Sequence, residues 1–326
     1  MERDARLVHT ATPRLAKLIQ NDYVDKSAAS VSKDFQTHHG IKISRHYIQK
    51  ASKAVSQIMI EKESTWRYAL PKQIDLKQVS SIGLSRDGTT INIRKQGWRE
   101  TMSGTISLYG KDQKLLHTIY VGVAPEYGKA TFDELLRREV DLLKKQMERN
   151  NCAPVWLGIA DGAKDNWSYL NPLTHKQILD FYHASGHLGD FAQAAFPLPG
   201  GRKRWLEQSV ELLLEEKNGA EQVYQKMQEQ FDRISDQVAQ EKAAPHLTYF
   251  KNQKHRMNYK YFRDQGWPIG SGVVEASCKT LIKQRFAQSG MKWHIHKADM
   301  LITARALKLT NERYDQFWKK YMRFAA

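Results

Sequence analysis

Apolar residues near the N-terminus recur at the spacing of short amphipathic helices. The pattern predicts one helix from Pro13, a second over about 27–38 and a third that begins after Ser44. Gly40 separates the second helix from the third, and this order is typical of a helix-turn-helix. We interpret residues 1–65 as a helix-turn-helix-like DNA-binding region, with an ordinary helical hairpin as the alternative. The candidates for contact with a DNA groove are Arg45, His46, Gln49 and Lys50.

After a linker over 66–80, apolar and polar residues alternate in the manner of β-strands. The pattern predicts five strands, over 81–94, 101–109, 115–124, 154–160 and 177–182. The first strand is expected to be interrupted by Asp87-Gly88-Thr89, and the first three to form an antiparallel meander. An amphipathic helix over about 131–149 lies between the third and fourth strands.

The second half of the chain has a helical pattern. Residues 186–265 predict an all-helical insertion, which includes one long helix marked by apolar residues from Val223 to Val238. A glycine-containing break over 266–272 precedes a helix that carries Glu275, and two further helices end the chain. Together the elements predict an α+β fold with α/β/α layers.

Charge indicates the class of partner. The 326 residues include 51 Lys and Arg against 35 Asp and Glu, a formal net charge of +16. Such a basic chain favours a polyanionic partner, above all double-stranded DNA, although a merely basic protein is the alternative. Two cysteines exclude a disulfide scaffold and a thiolate-rich zinc site. With no membrane span, signal peptide or nucleotide-binding motif in the sequence, we expect a cytoplasmic, nucleoid-associated protein without membrane contact or nucleotide cofactor.

A second group of DNA-binding candidates lies in a stretch over 251–263, where basic and aromatic residues are interleaved. In nucleic-acid grooves, aromatic rings stack on bases while cations meet phosphates. A helix with a solvated basic face is the alternative. The candidates are Lys251, Lys254, Arg256 and Lys260.

Three carboxylates stand at the ends or edges of predicted elements. Asp87 lies in or at the end of the first strand, Asp161 ends the fourth, and Glu275 lies in the first turn of a helix. Because a sheet aligns its strand ends, Asp87 and Asp161 can converge, and a helix against the sheet can add Glu275. Convergent carboxylates repel one another, and hard cations such as Mg²⁺ or Mn²⁺ relieve the repulsion. The three acids therefore predict a metal site, with two ions about 3.5–4 Å apart suited to phosphoryl transfer.

Four stretches of the sequence resemble a known family. They are Asp87-Gly88-Thr89 with Gly97-Trp98-Arg99-Glu100, residues 159–163, residues 178–184, and a block from Pro268 that continues through Lys279, Lys283, Arg285 and Trp293. Together they resemble an ISKra-type insertion-sequence transposase of the DDE class, over about 80–318. The resemblance implies an RNase H-like core over 81–185 and 266–326, interrupted by the helical insertion. It also implies that Asp87, Asp161 and Glu275 form the catalytic, metal-binding triad.

The resemblance extends to further residues. Asp180 and His183 match an Asp-x-x-His signature, which implies that His183 contacts the scissile phosphate or a flipped base; a structural histidine is the alternative. Trp98 is a DNA-contact candidate, with a core position as the alternative. The other DNA-contact candidates from the matching blocks are Arg99, Lys279, Lys283 and Arg285.

The activity that the resemblance implies is DNA transposition, a form of DNA recombination. The enzyme would hydrolyse a phosphodiester at each element end and then join the freed 3′-OH to target DNA, with Mg²⁺ or Mn²⁺ as cofactor. Because two ends must meet, we expect at least a homodimer on DNA. The alternatives are a transposase-derived DNA-binding regulator without catalysis and an RNase H-like endonuclease that cuts but does not join.

Overall fold

The computed structural model describes residues 7–63, 65–111 and 113–324. In this part of the chain, five strands form one mixed sheet with the order β3-β2-β1-β4-β5. The first three are antiparallel neighbours, whereas β4 runs parallel to β1 and β5 parallel to β4. The strands are β1 (Ser81–Ile93), β2 (Gly97–Tyr109), β3 (Leu115–Val123), β4 (Val155–Ala160) and β5 (Lys176–Leu179). The predicted α+β class is confirmed.

Helices make up most of the remaining chain. They are α1 (Pro13–Tyr23), α2 (Ala28–His39), α3 (Arg45–Glu63), α4 (Ala130–Arg149), α5 (Lys164–Leu170), α6 (Phe181–Ala195), α7 (Pro199–Glu215), α8 (Gly219–Phe231), α9 (Gln237–Gln253), α10 (Tyr259–Asp264), α11 (Gly272–Ser277), α12 (Gln284–Phe286), α13 (Ile295–Leu309) and α14 (Arg313–Phe324). A π-helical stretch, Cys278–Lys283, joins α11 to α12. None of the described helices has the length and apolar character needed to span a membrane.

Helices cover both faces of the sheet. On one face α4 approaches so closely that a Cβ on Gly104 would lie 2.9 Å from Leu136. On the other face, a Cβ on Gly122 would lie 2.8 Å from both Leu281 and Ile302. The sheet is therefore the middle layer, and the segment that carries Glu275 packs on the face opposite α4.

The three N-terminal helices begin where their capping residues predict. The hydroxyls of Thr12, Ser27 and Ser44 accept backbone N–H bonds at the starts of α1, α2 and α3. These helices have a small buried cluster of their own, and they share a second cluster with the C-terminal helices. Val55 and Met59 of α3 belong to the same buried cluster as Leu301 of α13 and Trp318 of α14. The candidate DNA-binding region is thus packed directly onto the C-terminal helices.

The structure corrects the predicted interruption of the first strand. β1 continues through Asp87-Gly88-Thr89 and pairs with β2 along its whole length, from Ser81 with Tyr109 to Ile93 with Gly97. Gly88 is part of the ladder, opposite Met102, rather than part of a turn. The glycine leaves room for the side chain of Glu100, which occupies the position that a Cβ would take. Asp87 therefore lies in the middle of a strand.

Two predicted boundaries in the helical half were also wrong. The fifth strand ends at Leu179, because the Asp180 carboxylate accepts a hydrogen bond from His183 N (2.8 Å) and starts α6 there. The apolar spacing from Val223 to Val238 spans two helices, since α8 ends at Phe231 and Asp236 caps the start of α9. A capping aspartate decides the element in both places, against the apolar pattern around it.

Candidate active site

An open cleft lies where the middle of β1 meets α6 and the segment from α11 to α12. Its volume is about 1150 Å³, which includes space open to solvent. Acidic and basic groups share its walls, and the lining residues that bear on chemistry are Asp87, His183, Glu275, Cys278, Lys279 and Lys283. The cleft brings together predicted residues that are as far apart in sequence as Asp87 and Glu275.

The strand register sets Asp87 beside Asp161. Ser81 pairs with Val155 and Leu84 with Gly158 on the parallel neighbours β1 and β4. When this register is continued for three more residues, Asp87 stands opposite Asp161 at the end of β4, and neighbouring strands lie about 4.8 Å apart. The negative charge of Asp161 accordingly contributes to the raised pKa of Asp87.

Asp87 is a half-buried carboxylate without a cationic partner. Its Oδ1 accepts a hydrogen bond from Gly88 N (2.7 Å), and its Oδ2 accepts one from the Cys278 thiol (3.4 Å). Burial is the main cause that raises its pKa above the usual range of an aspartate. Among the described residues, no lysine or arginine lies within ion-pair distance of Asp87 or Asp161. A divalent cation would supply the missing positive charge.

Asp161 is held by two neighbouring elements. Its Oδ1 accepts hydrogen bonds from Ala163 N (3.1 Å) and Asn166 Nδ2 (3.0 Å), which leaves Oδ2 without a donor among the described residues. The Tyr249 hydroxyl, from α9 of the helical insertion, donates to the backbone oxygen of Asp161 (2.7 Å). The insertion therefore contacts the loop that carries the second predicted catalytic acid.

Glu275, Asp180 and His183 form a second group of possible metal ligands. One ligand atom from each of these residues lies within 4.8 Å of the others, so the group could hold a metal ion. His183 Nε2 is 3.6 Å from Glu275 Oε1, and the Ser271 hydroxyl donates to the same oxygen (3.1 Å). The side chain of His183 is 45% exposed, which makes the alternative of a buried structural histidine wrong.

Asp180 itself is completely buried and fastens three segments together. Its Oδ1 accepts from His183 N at the start of α6, and its Oδ2 accepts from Ser271 N, just before α11. Its own N–H donates to Ala160 O (2.8 Å) at the end of β4. The carboxylate thus positions both His183 and the turn that leads to Glu275, so Asp180 holds the two segments together by hydrogen bonds.

The four candidate groove residues of α3 are all exposed. Three of them, His46, Gln49 and Lys50, line a groove between α3 and α13, to which α13 contributes Lys297. None of these residues lines the cleft. Their predicted role in reading DNA stays a prediction.

Trp98 and Arg99 lie on the extension of β1 and β2 beyond the cleft. Trp98 is 64% exposed, which makes the alternative of a core tryptophan wrong. Arg99 donates to Gln96 Oε1 (2.7 Å), and its guanidinium lies 4.6 Å from the ring centre of Tyr127.

The basic and aromatic stretch over 251–263 is packed differently from the prediction. Most of its rings are buried in the core, namely Phe250, Tyr259 and Phe262, whereas Tyr261 is 40% exposed. Three of its four candidate cations are engaged within the protein. Lys254 pairs with Glu221, Lys260 pairs with Asp264, and Arg256 donates to Gln177 and Gln253. Among the four, Lys251 is exposed and the other three are partly buried, and the role of this stretch in DNA binding stays a prediction.

The structure also contradicts a DNA contact by Arg285. This side chain is 3% exposed and its guanidinium lies over the rings of Tyr23 (5.4 Å) and Trp293 (4.8 Å). It belongs to the core between the N-terminal and C-terminal helices. The other two basic residues of the same block, Lys279 and Lys283, are exposed in the cleft.

Two residues near the acids were missed as site residues in the sequence. Cys278 could have been found, because it follows Glu275 by three positions and therefore shares its helix face. Tyr249 gave no signal, because only the folded helix α9 brings it to Asp161. The ring of Tyr249 also stacks on His187 at 3.6 Å, and His187 is 2.9 Å from His246 between their Nδ1 atoms.

No protein-family model matches the chain, and the search of curated proteins finds no significant match.

Proposed function

We propose that this chain is a metal-dependent DNA transposase of the DDE class, built on an RNase H-like core. The sequence blocks around Asp87, Asp161, Asp180 and Glu275 support the family. The strand order β3-β2-β1-β4-β5, with three antiparallel strands followed by two parallel ones, agrees with the core that the resemblance implies. The helical segment from α7 to α10 lies between the last strand and the glutamate helix, as expected for the insertion.

One observation carries the proposal more than any other. Asp87 stands opposite Asp161 when the register of β1 and β4 is continued beyond Leu84, and Asp87 shares an open cleft with Glu275. Among the described residues, neither aspartate has a lysine or arginine within ion-pair distance. Carboxylate oxygens are the ligands that Mg²⁺ and Mn²⁺ prefer, so the donor set fits these ions. In such a site, bound ions supply activation of the attacking oxygen and stabilisation of the leaving oxygen in phosphoryl transfer.

The protein's own residues would prepare the DNA for this chemistry. Lys279 and Lys283 place positive charge on the cleft wall, where a phosphate backbone would lie. His183 presents a ring nitrogen 3.6 Å from Glu275, within reach of a phosphate oxygen in the same cleft. Asp180 fixes the backbone on both sides of this pair.

The proposal is tested with the purified chain and a plasmid that carries the DNA flanking its gene. We expect strand cleavage with Mg²⁺ or Mn²⁺, and its loss in Asp87→Asn, Asp161→Asn and Glu275→Gln. Each variant keeps the shape of the side chain but removes a negative ligand, so DNA binding in EDTA survives. Asp264→Asn on α10, an exposed acid that does not line the cleft, is the control and cleaves normally.

A second assay separates transposition from the two alternatives. A pre-cut end with a free 3′-OH is offered together with target DNA, and joining of the two supports a transposase. Cleavage without joining supports the nuclease, and binding without either reaction supports the regulator. Cleavage at the wild-type rate by Asp87→Asn or Glu275→Gln would refute the proposed metal site.

A further inference from the structure

The loop that follows β4 carries Asp161 and is held by two side chains of the helical insertion. The Tyr249 hydroxyl donates to Asp161 O (2.7 Å), and Gln253 Nε2 donates to Gly162 O (3.0 Å). Tyr249 and Gln253 are four residues apart on α9, so they lie on the same face of this helix. α9 therefore fixes two successive backbone carbonyls, one of which belongs to a proposed metal ligand.

The ring of Tyr249 lies directly against the loop. Gly162 has a φ of +103°, which residues other than glycine rarely adopt, and a Cβ there would lie 2.9 Å from Tyr249 Cε2. The ring is also stacked on His187 of α6, with 3.6 Å between the ring centres. Burial, with the negative charges of Asp161 and Asp180 added, raises the pKa of Tyr249, so its hydroxyl stays protonated and keeps its role as a donor.

The amide of Gln253 is oriented by Arg256. Gln253 Oε1 accepts a hydrogen bond from Arg256 Nη1 (2.8 Å), and the amide nitrogen is thereby turned towards Gly162 O. The Arg256 guanidinium is itself held in place, since it donates to Gln177 Oε1 (2.6 Å) and lies 4.4 Å from the ring centre of Trp167. The second bond from α9 to the loop is therefore built into a network of fixed side chains.

The shape of the loop in turn decides where the Asp161 carboxylate lies. Its Oδ1 accepts from Ala163 N, two residues further along the same backbone, and from Asn166 Nδ2. Asn166 is oriented by the buried Arg86, whose Nε donates to Asn166 Oδ1 (2.9 Å). The bond from Ala163 N survives only while the backbone of the loop keeps its shape. Asp161 Oδ2 has no donor among the described residues and can bind a cation.

We propose that Tyr249 and Gln253 are positioning residues for metal binding by Asp161, because α9 fixes the loop backbone and the loop fixes the carboxylate. This inference rests on the proposed function, since it treats Asp161 as a ligand of Mg²⁺ or Mn²⁺. Loss of a residue that orients a metal ligand typically lowers metal affinity or activity about 10- to 100-fold. Tyr249 and Gln253 act through the backbone rather than on the carboxylate, so we expect the lower end of this range.

The test uses Tyr249→Phe, which removes the hydroxyl and keeps the stacked ring, and Gln253→Ala. Mn²⁺ binding is measured without DNA, from the electron paramagnetic resonance signal of free Mn²⁺, and the Mn²⁺ dependence of DNA cleavage is measured in parallel. We expect Tyr249→Phe to bind Mn²⁺ about 10-fold more weakly and to need an about 10-fold higher Mn²⁺ concentration for half-maximal cleavage. Saturating Mn²⁺ restores cleavage, because the ligands themselves are unchanged.

Hydrogen exchange of the metal-free chain in EDTA tests the loop itself. The peptide that covers residues 161–166 should exchange faster in both variants than in the wild type, because the loop backbone has lost a bond to α9. Tyr259→Phe is the matched control for the loss of a hydroxyl from the insertion. The Tyr259 hydroxyl is buried and has no hydrogen-bond partner in the described part of the chain, so this variant should change neither the exchange nor the Mn²⁺ affinity.

Two results would overturn this inference alone. If the wild type binds Mn²⁺ and both variants bind it equally well, α9 does not position Asp161. If Tyr249→Phe unfolds at a lower urea concentration but its folded fraction keeps the wild-type Mn²⁺ affinity, the hydroxyl only attaches the insertion to the sheet. A wild-type chain that neither binds Mn²⁺ nor cleaves DNA refutes the proposed function, and this inference falls with it.

Discussion

Replacing Asp180 by asparagine tests whether this residue positions the site or only binds metal. The aspartate has no exposed surface, and its two oxygens accept from two different backbone N–H groups, His183 N and Ser271 N. Asparagine offers one acceptor oxygen, while its amide nitrogen is a donor. One of the two N–H groups therefore loses its partner in Asp180→Asn.

The expected loss follows from which bond breaks. Asparagine is as good a helix cap as aspartate, so its oxygen can keep the bond to His183 N at the start of α6. Ser271 N then faces an NH₂ group, and a buried donor without a partner costs about 1–3 kcal/mol. Glu275 lies one helical turn after Ser271, so we expect its carboxylate to shift when Ser271 N loses its bond to residue 180. A displacement of about 1 Å can lower a rate about 100-fold, which is the loss of cleavage that we expect.

Two measurements are needed, urea unfolding in EDTA and the rate of DNA cleavage with Mn²⁺. Asp180→Asn is expected to lose stability without metal, as well as cleavage. Glu275→Gln, which removes a proposed ligand, loses cleavage but keeps its stability in EDTA. Asp236→Asn is the matched control, since this exposed aspartate caps α9 through a single bond to Ala239 N (2.9 Å) and should change neither quantity.

The reasoning is refuted if Asp180→Asn unfolds in EDTA at the same urea concentration as the wild type. With loss of cleavage, that result makes Asp180 a ligand or a direct participant. With normal cleavage, it shows that neither bond to the carboxylate matters.

Two further predictions concern other charged residues, Glu63 and Lys279. Burial raises the pKa of Glu63 from 4.5 to about 7, so stability falls as pH rises between these values. Glu63→Gln should therefore unfold at the same urea concentration as the wild type at pH 4 but be more stable at pH 8, by at most about 3 kcal/mol, and equal stability at both pH values contradicts this. Lys279→Ala should lower the salt slope of DNA binding by about 1, whereas Lys254→Ala, whose ammonium pairs with Glu221, should change it less; equal slopes speak against a DNA path through the cleft.

Much of the fold could be predicted from local patterns. The starts of α1, α2 and α3 follow from a hydroxyl before each helix, and the sheet strands follow from alternating apolar residues. The prediction from local pattern was wrong at Gly88, where a turn-forming residue lies within a run of strand-forming residues. Gly88 suggested a turn, but its neighbour Glu100 fills the space of the missing side chain and the ladder continues.

The site was predictable only as far as its acids. Their positions on strands and in a helix are visible in sequence, although Asp87 lies in the middle of its strand, and the register of β1 and β4, when continued, sets Asp87 opposite Asp161. Which cations are free was not visible, because it depends on partners from distant segments. The Arg285 guanidinium stacks on the ring of Trp293, and Lys254 forms an ion pair with Glu221. Nothing in the sequence around these residues indicates either contact. The π-helical stretch after Ser277 is equally silent in sequence, although such distortions are often found at functional sites.

The core shared by the two ends of the chain has a consequence for synthesis. Val55 and Met59 are synthesised long before their partners Leu301 and Trp318, which lie far along the chain. At about 5–20 residues per second, the part of α3 around Val55 and Met59 lacks its cover from α13 and α14 for some tens of seconds. A truncated product that ends before α13 never acquires that cover. The N-terminal helices therefore gain part of their packing only after α13 and α14 have been made, and a copy that stops before them would expose apolar surface to chaperones and proteases.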